Sequence, residues 1–393
     1  MSGGAASERE VDTVRWLALG ATIASISAVG MAIGLGIPLL SVILENRGFS
    51  ATAIGINTGV AGLASIAMAP LAIPIAARFG VVATMLAAIV TGAFSFLGFY
   101  FASDFWMWFP LRITLHAAIT VLFILSEFWI SASAPPHRRG LVLGIYATVL
   151  SLGFAFGPWL FSQLGSDGVL PFVAGFAITL AAAVPVMAAW RESPAISGAA
   201  HRSGLLSYIF LVPTATAAVL VFGAVETGGF ALFPVYGNRI GYSEADAALL
   251  LTMIGLGNVL LQIPIGMISD RMADRRVLLA VCAAIGLAGM IVLPMVSLDW
   301  YVVAAVLFVW GGVVAGLYTV GLAHLGARLT GRDLASANAA FVFCYGLGML
   351  VGPQVIGAGM DILGTHGFAW SLALFFVCYL ALVATRVRVV GGR

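Results

Sequence analysis

Four ionisable side chains sit deep inside apolar sequence: Arg112, His116 and Glu127 in one run, and Glu226 in another. Charge is costly in hydrocarbon, so such residues are functional candidates by default. A carboxylate there can load and release a proton, and a guanidinium can pair with that carboxylate. At about 100° per helical residue, His116 lies about 40° round from Arg112 and Glu127 about 20° from His116. The three therefore share one narrow face. Arg112 and Glu127 also fit snorkelling, since each lies toward one end of its run. His116 fits a hydrogen-bonded core histidine equally well. Glu226 has the weakest structural alternative, lying within Ala218 to Ala231 and followed by Thr227-Gly-Gly229. Asn57, Asn258, Gln262, Asn338 and Gln354 are better read as hydrogen-bonding groups between helices. No metal-ligand cluster, phosphate loop or nucleophile-with-base spacing stands out. An enzyme or ATP-driven pump is therefore unsupported, and neither a cofactor nor nucleic acid is expected.

The elements that position these residues must be membrane helices. Hydrophobic residues make up 62% of the chain and charged residues 9%, against about 25% charged in soluble proteins. A soluble core could not hide so much apolar surface, so lipid is the solvent. Apolar segments run over 16–44, 50–77, 81–103, 105–133, 140–164, 170–190, 205–236, 244–269, 277–297, 300–325, 335–360 and 367–385. Each ends at a cluster of Gly, Pro, Ser, Asp or Arg. The polar stretch 191–204 divides them into six and six, giving bundles over 1–190 and 205–393 joined by a flexible linker. No signal peptide is read in the polar N-terminus. Cys282, Cys344 and Cys378 all fall in apolar runs and read as small core residues.

Arginine placement orients the chain. There are eighteen arginines and no lysine. With both termini cytoplasmic, the inner side holds Arg9, Arg15, Arg78, Arg138, Arg139, Arg191, Arg202, Arg271, Arg275, Arg276, Arg328, Arg332, Arg386, Arg388 and Arg393. The outer side holds only Arg47 and Arg239. Positive residues favour the cytoplasmic face, so this orientation is decisive. The residue usage fits a high-GC bacterial genome, and hence a bacterial inner membrane.

The halves also repeat. Asn46-Arg-Gly-Phe-Ser50 returns as Asn238-Arg-Ile-Gly-Tyr-Ser243, each serine placed to cap the next helix. Gly153-x-x-x-Gly157-Pro158 returns as Gly348-x-x-x-Gly352-Pro353. Small residues four apart let backbones touch, while proline removes a donor and permits a hinge. Packing is the stronger reading.

Between segments 8 and 9 lies Gly266-Met-Ile-Ser-Asp270-Arg271-Met-Ala-Asp274-Arg275-Arg276, two acids and three arginines in eleven residues. Gly266 is expected to let two helix ends approach closely. Asp270 can pair with an arginine or with a helix N-terminus. This stretch resembles the signature loop of the major facilitator superfamily, Gly-x-x-x-Asp-Arg followed by paired basic residues. In the first half the equivalent stretch keeps Arg78 and Gly80 but has lost its acid. Arg112 resembles the proton-coupling arginine of that family's antiporters, although His116 stands where the motif has glycine. Gly153 to Pro158 resembles the antiporter motif, with Phe161 and Ser162 in place of its later glycines. Pro135-Pro-His-Arg-Arg-Gly140, Glu127-Phe-Trp129 and Gly316-Leu-Tyr318 resemble a bacterial branch of efflux-type permeases.

The resemblance implies an all-α membrane protein with twelve transmembrane helices in two pseudo-symmetric six-helix bundles. Segments 1, 4, 7 and 10 would line a central cavity, its polar groups including Arg112, His116, Glu127, Glu226, Thr227 and Tyr318. Otherwise the cavity is apolar and aromatic, which favours export of a small amphipathic or apolar solute over uptake of a polyhydroxylated sugar; proton coupling through the charged groups and a monomer are expected with it. The alternatives are an uncoupled facilitator, an uptake symporter, or a transporter-like sensor or scaffold, for which the short termini leave no output domain. Two further expectations concern gating. Asp270 would close the inner side by contact with segment 11 and nearby arginines. Arg112 and Glu226, at similar depth, would approach each other when the outer side closes.

Overall fold

The computed structural model describes residues 16–134, 139–194, 196, 209–327, 329 and 331–391. Pro135, Pro136, His137, Arg138 and linker residues 195 and 197–204 lie outside the described residues. So do Arg9, Arg15, Arg328 and Arg393.

Among the described residues, twelve helices are long and apolar enough to cross a membrane. They are α1 (Trp16–Asn46), α2 (Ala51–Phe79), α3 (Val81–Phe101), α4 (Phe105–Ser133), α5 (Leu141–Leu164) and α6 (Leu170–Ala188). The second six are α7 (Pro213–Ile240), α8 (Glu244–Arg271), α9 (Arg275–Val296), α10 (Trp300–Gly326), α11 (Ala337–Ile362) and α12 (Gly367–Thr385). Local chemistry sets the ends. Ser50 accepts from the Ala53 N–H at 3.2 Å, and Ser243 from the Asp246 N–H at 3.1 Å. Those are the two predicted caps, and each satisfies a helix donor that would otherwise face lipid headgroups unpaired. Asp274 and Asp299 cap α9 and α10 in the same way. Gly80, at φ +89°, lets α2 turn directly into α3, a backbone geometry a side chain would strain.

Two sequence expectations change here. Segment 7 was expected from 205, but the helix that crosses starts at Pro213, after a bend at Val212. Proline fits the first helical position because the N–H it lacks is unpaired there anyway. Cys378 is exposed, unlike buried Cys282 and Cys344. An apolar helix bordering lipid has no need to bury every apolar face.

The repeated glycines are packing surfaces. A Cβ at Gly153 or Gly157 would run into the α1 backbone around Ser27 to Leu35. A Cβ at Gly348 or Gly352 would meet the α7 backbone from Leu220 to Ala224. Thus α5 lies on α1 as α11 lies on α7. Both α5 and α11 continue as helices through Pro158 and Pro353.

Glycines also build the seam between the halves. On α2, Gly55 faces Pro353, Gly59 faces Leu350, and Gly62 faces Gly346 and Leu350 of α11. Gly255 of α8 faces Ala155 of α5. Polar bonds between the halves gather where α1 ends and α2 begins. Asn46 donates to Glu244 at 2.9 Å, and Ser166 donates to the same carboxylate oxygen at 3.0 Å. Asp361 of α11 accepts from the Ala51 and Thr52 N–H groups at 3.2 and 2.8 Å. Arg239 of α7 donates to Glu45 of α1 at 3.0 Å. This end, called the Asn46 end below, is drawn shut.

At the opposite end, Gly266 does not make the close approach expected of it: a Cβ there would meet nothing within 4 Å. Asp270 does not reach α11 but lies 3.6 Å from Arg275, with 78% of its side chain exposed. Asp270 is satisfied by the nearby Arg275 guanidinium, and the open space beside Gly266 leaves no neighbouring helix against it. Arg275 also donates to Ser269 at 3.1 Å, and Arg276 lies 3.8 Å from Asp274. Arg271 and Arg78 are exposed, Arg78 over the Phe79 ring at 5.3 Å.

Candidate functional site

Arg112 and His116 lie on the face of α4 that meets α2, and both are buried. Arg112 donates through Nε and Nη2 to Asn57 Oδ1 at 3.2 and 3.1 Å, and lies over the Phe99 ring at 5.8 Å. It is wholly inaccessible, so it does not snorkel to headgroups. His116 Nδ1 sits 3.1 Å from the Arg112 carbonyl oxygen, one turn back. An imidazole nitrogen facing a carbonyl must donate, so this ring is held as a core group. Eight residues along both helices the pattern returns, Thr120 donating to Ser65 at 3.0 Å. Polar steps thus fix α4 against α2. Arg112 Nη1 and Asn57 Nδ2 have no protein partner.

Glu127 continues that face of α4 toward the other end and is exposed. Beside it, Ser126 and Tyr146 of α5 share a 2.8 Å hydrogen bond. Tyr318 of α10 packs on Phe222 and on Tyr345, the tyrosine that bonds Glu226.

Glu226 lines a small cleft between α5, α7, α8 and α10. The other walls include Phe154, Phe222, Phe230, Asn258 and Trp310. Its open volume is ≈ 30 Å³, enough for about one or two waters. Tyr345 of α11 donates to Glu226 Oε2 at 2.6 Å, a short charge-assisted bond. Phe154 and Phe230 meet edge to face across the seam at 5.9 Å. Phe222, Tyr318 and Tyr345 form a contiguous aromatic group with centroids 5.7 to 6.2 Å apart. Trp310 spends its indole N–H on the Gly286 carbonyl at 3.1 Å. Asn258 Oδ1 is buried in the cleft wall without a partner. Thr227, about 100° round the helix from Glu226, is buried and is not a wall of the cleft.

Of the predicted pathway residues, then, Tyr318 joins Glu226 through Tyr345, Glu127 lies exposed on α4, and Arg112 and His116 belong to the α2–α4 contact. The expected approach of Arg112 to Glu226 with the Asn46 end shut does not occur. Each has another partner, Asn57 and Tyr345. Sequence reasoning missed both partners. The shared eight-residue spacing of Asn57 with Ser65 and Arg112 with Thr120 was a usable signal for the first; Tyr345 carried none.

The family described as Major Facilitator Superfamily matches residues 22–353 and, in a second match, 233–390. A relative named uncharacterized MFS-type transporter YfkF, from Bacillus subtilis (strain 168), is 27% identical over 94% of this chain and 93% of its own. YcaD, an uncharacterized MFS-type transporter of Escherichia coli (strain K12 / DH10B), is 26% identical over 64% of each chain. Among solved structures, the nucleoside transporter NupG superposes with a TM-score of 0.74 at 14% identity, covering 94% of this chain and 98% of that one. A bacterial homologue of the human lysosomal transporter Spinster, in an inward-facing and occupied conformation, gives 0.72 at 15% identity over 95% and 96%. At these identities the structures speak for the fold.

Proposed function

This chain belongs to the major facilitator superfamily and so moves small solutes across a membrane, and we propose that it does so as a proton-coupled exporter. The observation that carries the coupling is Glu226: a carboxylate in an aromatic cleft at the seam of the halves, held by Tyr345. Acids inside a membrane bundle mark ion and proton pathways by default. As the bundles 1–190 and 205–393 rock about the glycine seam, the cleft faces one side and then the other, and Glu226 loads and releases its proton in turn. By the positive-inside count the Asp270 end and both termini are cytoplasmic, in what we read as a bacterial inner membrane, with the Asp270 end the open one. The shut Asn46 end is then outermost, and this arrangement faces inward. The apolar, aromatic lining favours an amphipathic or apolar solute, handled by a monomer.

The test is reconstitution into proteoliposomes with an imposed pH gradient, assayed against a solute panel chosen from growth of a deletion strain and its complement. Wild type is expected to drive uphill solute movement that collapses with a protonophore. Glu226→Gln is expected to lose uphill transport while keeping solute exchange. Uphill transport by Glu226→Gln would remove the proton role from this residue.

A further inference from the structure

We propose that the solute is a lipophilic amine, bound as its ammonium ion with the N–H donors on Glu226 and Asn258 and the apolar body against the aromatic walls. The proposal rests on the transport reading above and narrows it to a chemical class.

The argument begins with which polar atoms face the cleft. Among the described residues, Tyr345 donates to Glu226 Oε2, and the other carboxylate oxygen has no protein donor. Asn258 Oδ1 in the same wall also lacks one. Both are acceptors. No arginine lines the cleft. The cation that sequence alone would place there, Arg112, is buried against Asn57 and Phe99 instead. An anion would be repelled by the Glu226 carboxylate, whereas an ammonium supplies the counter-charge that an ionised Glu226 lacks.

The remaining walls suit a cation with an apolar body. Phe154, Phe222, Phe230 and Trp310 surround the carboxylate, and aromatic faces attract cations most strongly where water is excluded. Trp310 is fixed by its bond to Gly286, and Phe154 and Phe230 hold each other edge to face, so these walls are set before a ligand arrives. The ≈ 30 Å³ opening admits an –NH3+ head more readily than a trimethylammonium. Directional acceptors also reward N–H donors that a quaternary ammonium lacks. One carboxylate holding either a proton or an ammonium links the two by exclusion, and no further coupling residue is needed.

The experiment is binding without any gradient, so that it stands apart from the transport test. The full chain in phosphatidylcholine nanodiscs is titrated calorimetrically with 4-phenylbutylamine, its N-acetyl amide and its N,N,N-trimethyl derivative, with empty nanodiscs subtracted. Saturable amine binding is expected, at least tenfold weaker for the trimethyl compound and absent for the amide. Glu226→Gln should weaken amine binding at least tenfold, Glu226→Asp much less, and Asn258→Leu severalfold, each at an unchanged melting temperature. Should Glu226→Gln fail to fold, the Asn258→Leu and three-ligand comparisons decide alone. Equal binding of amine and amide, equal binding of amine and quaternary ion, full affinity in Glu226→Gln, or no saturable amine binding would each overturn the proposal. Proton-driven transport of a different solute alongside such a result would leave the transport reading standing.

Discussion

Arg239, at the end of α7, donates a 3.0 Å hydrogen bond to Glu45 at the end of α1 and lies 3.8 Å from Asp361 of α11. Asp361 in turn caps the first turn of α2. One guanidinium therefore ties two helix ends of the second half to two of the first. Its side chain is 27% exposed, so the contribution is that of a partly solvated network, about 1 kcal/mol. Arg239→Gln is predicted to shift the equilibrium roughly fivefold toward opening of the Asn46 end. Spin-label distances between the α1–α2 and α7–α8 connections would read this; unchanged distributions would refute it. Adding Glu45→Gln should produce little further change if the two act as one unit.

Asn57 is predicted to matter more to folding than its type suggests. Asn57→Leu would strand the Arg112 guanidinium in the α2–α4 contact, a loss of about 1.5–3 kcal/mol. A fall in melting temperature, largely reversed by adding Arg112→Leu, would confirm that the pair is structural. A stable single variant with altered transport would instead return Arg112 to the pathway.

Asp270 should behave in the opposite way. Exposed and 3.6 Å from Arg275, it adds about 0–1 kcal/mol to the arrangement seen here. If its contact with α11 forms only when the Asp270 end shuts, Asp270→Asn should leave stability unchanged yet enrich the arrangement with that end open. Distance measurements across that end check this, and identical populations in both proteins would reject it.

Two glycines offer a matched pair. Gly352→Ala would push a methyl into the Ala224 backbone and is predicted to destabilise by about 1–3 kcal/mol. Gly266→Ala meets nothing here, so the melting temperature should hold. Its cost should appear in turnover, when the Asp270 end has to close. Normal turnover in Gly266→Ala would mean that the glycine is not needed for that approach.

Much of the fold was legible because each span reports its own length and apolarity. The serine caps and the Gly-x-x-x-Gly-Pro copies likewise depend on residues near in sequence. The site was less legible. The narrow face shared by Arg112, His116 and Glu127 was read from helical spacing alone. Which part of that face is sealed by Asn57, and which part stays open, depends on how α2 crosses α4. Glu226 stood out because an acid in an apolar run is anomalous wherever it lies. Its partner Tyr345 did not, since an aromatic in a membrane helix is ordinary and 119 residues separate the two. Asp270 and Gly266 were expected in contacts between helix ends distant in sequence, which local spacing does not fix.

The glycine seam of α2 on α11 has a mechanical meaning. Most interlocked helices must lift side chains out of grooves before they can turn, and each such step disrupts packing. At Gly55, Gly59, Gly62 and Gly346 the surfaces that touch include bare backbone. Such a surface has few rotamers to disengage, so one helix can roll on the other while losing only weak dispersion contacts, about 0.1–0.2 kcal/mol per atom pair. The seam works as a bearing: firm against separation, soft against rotation, and roughened by any added methyl.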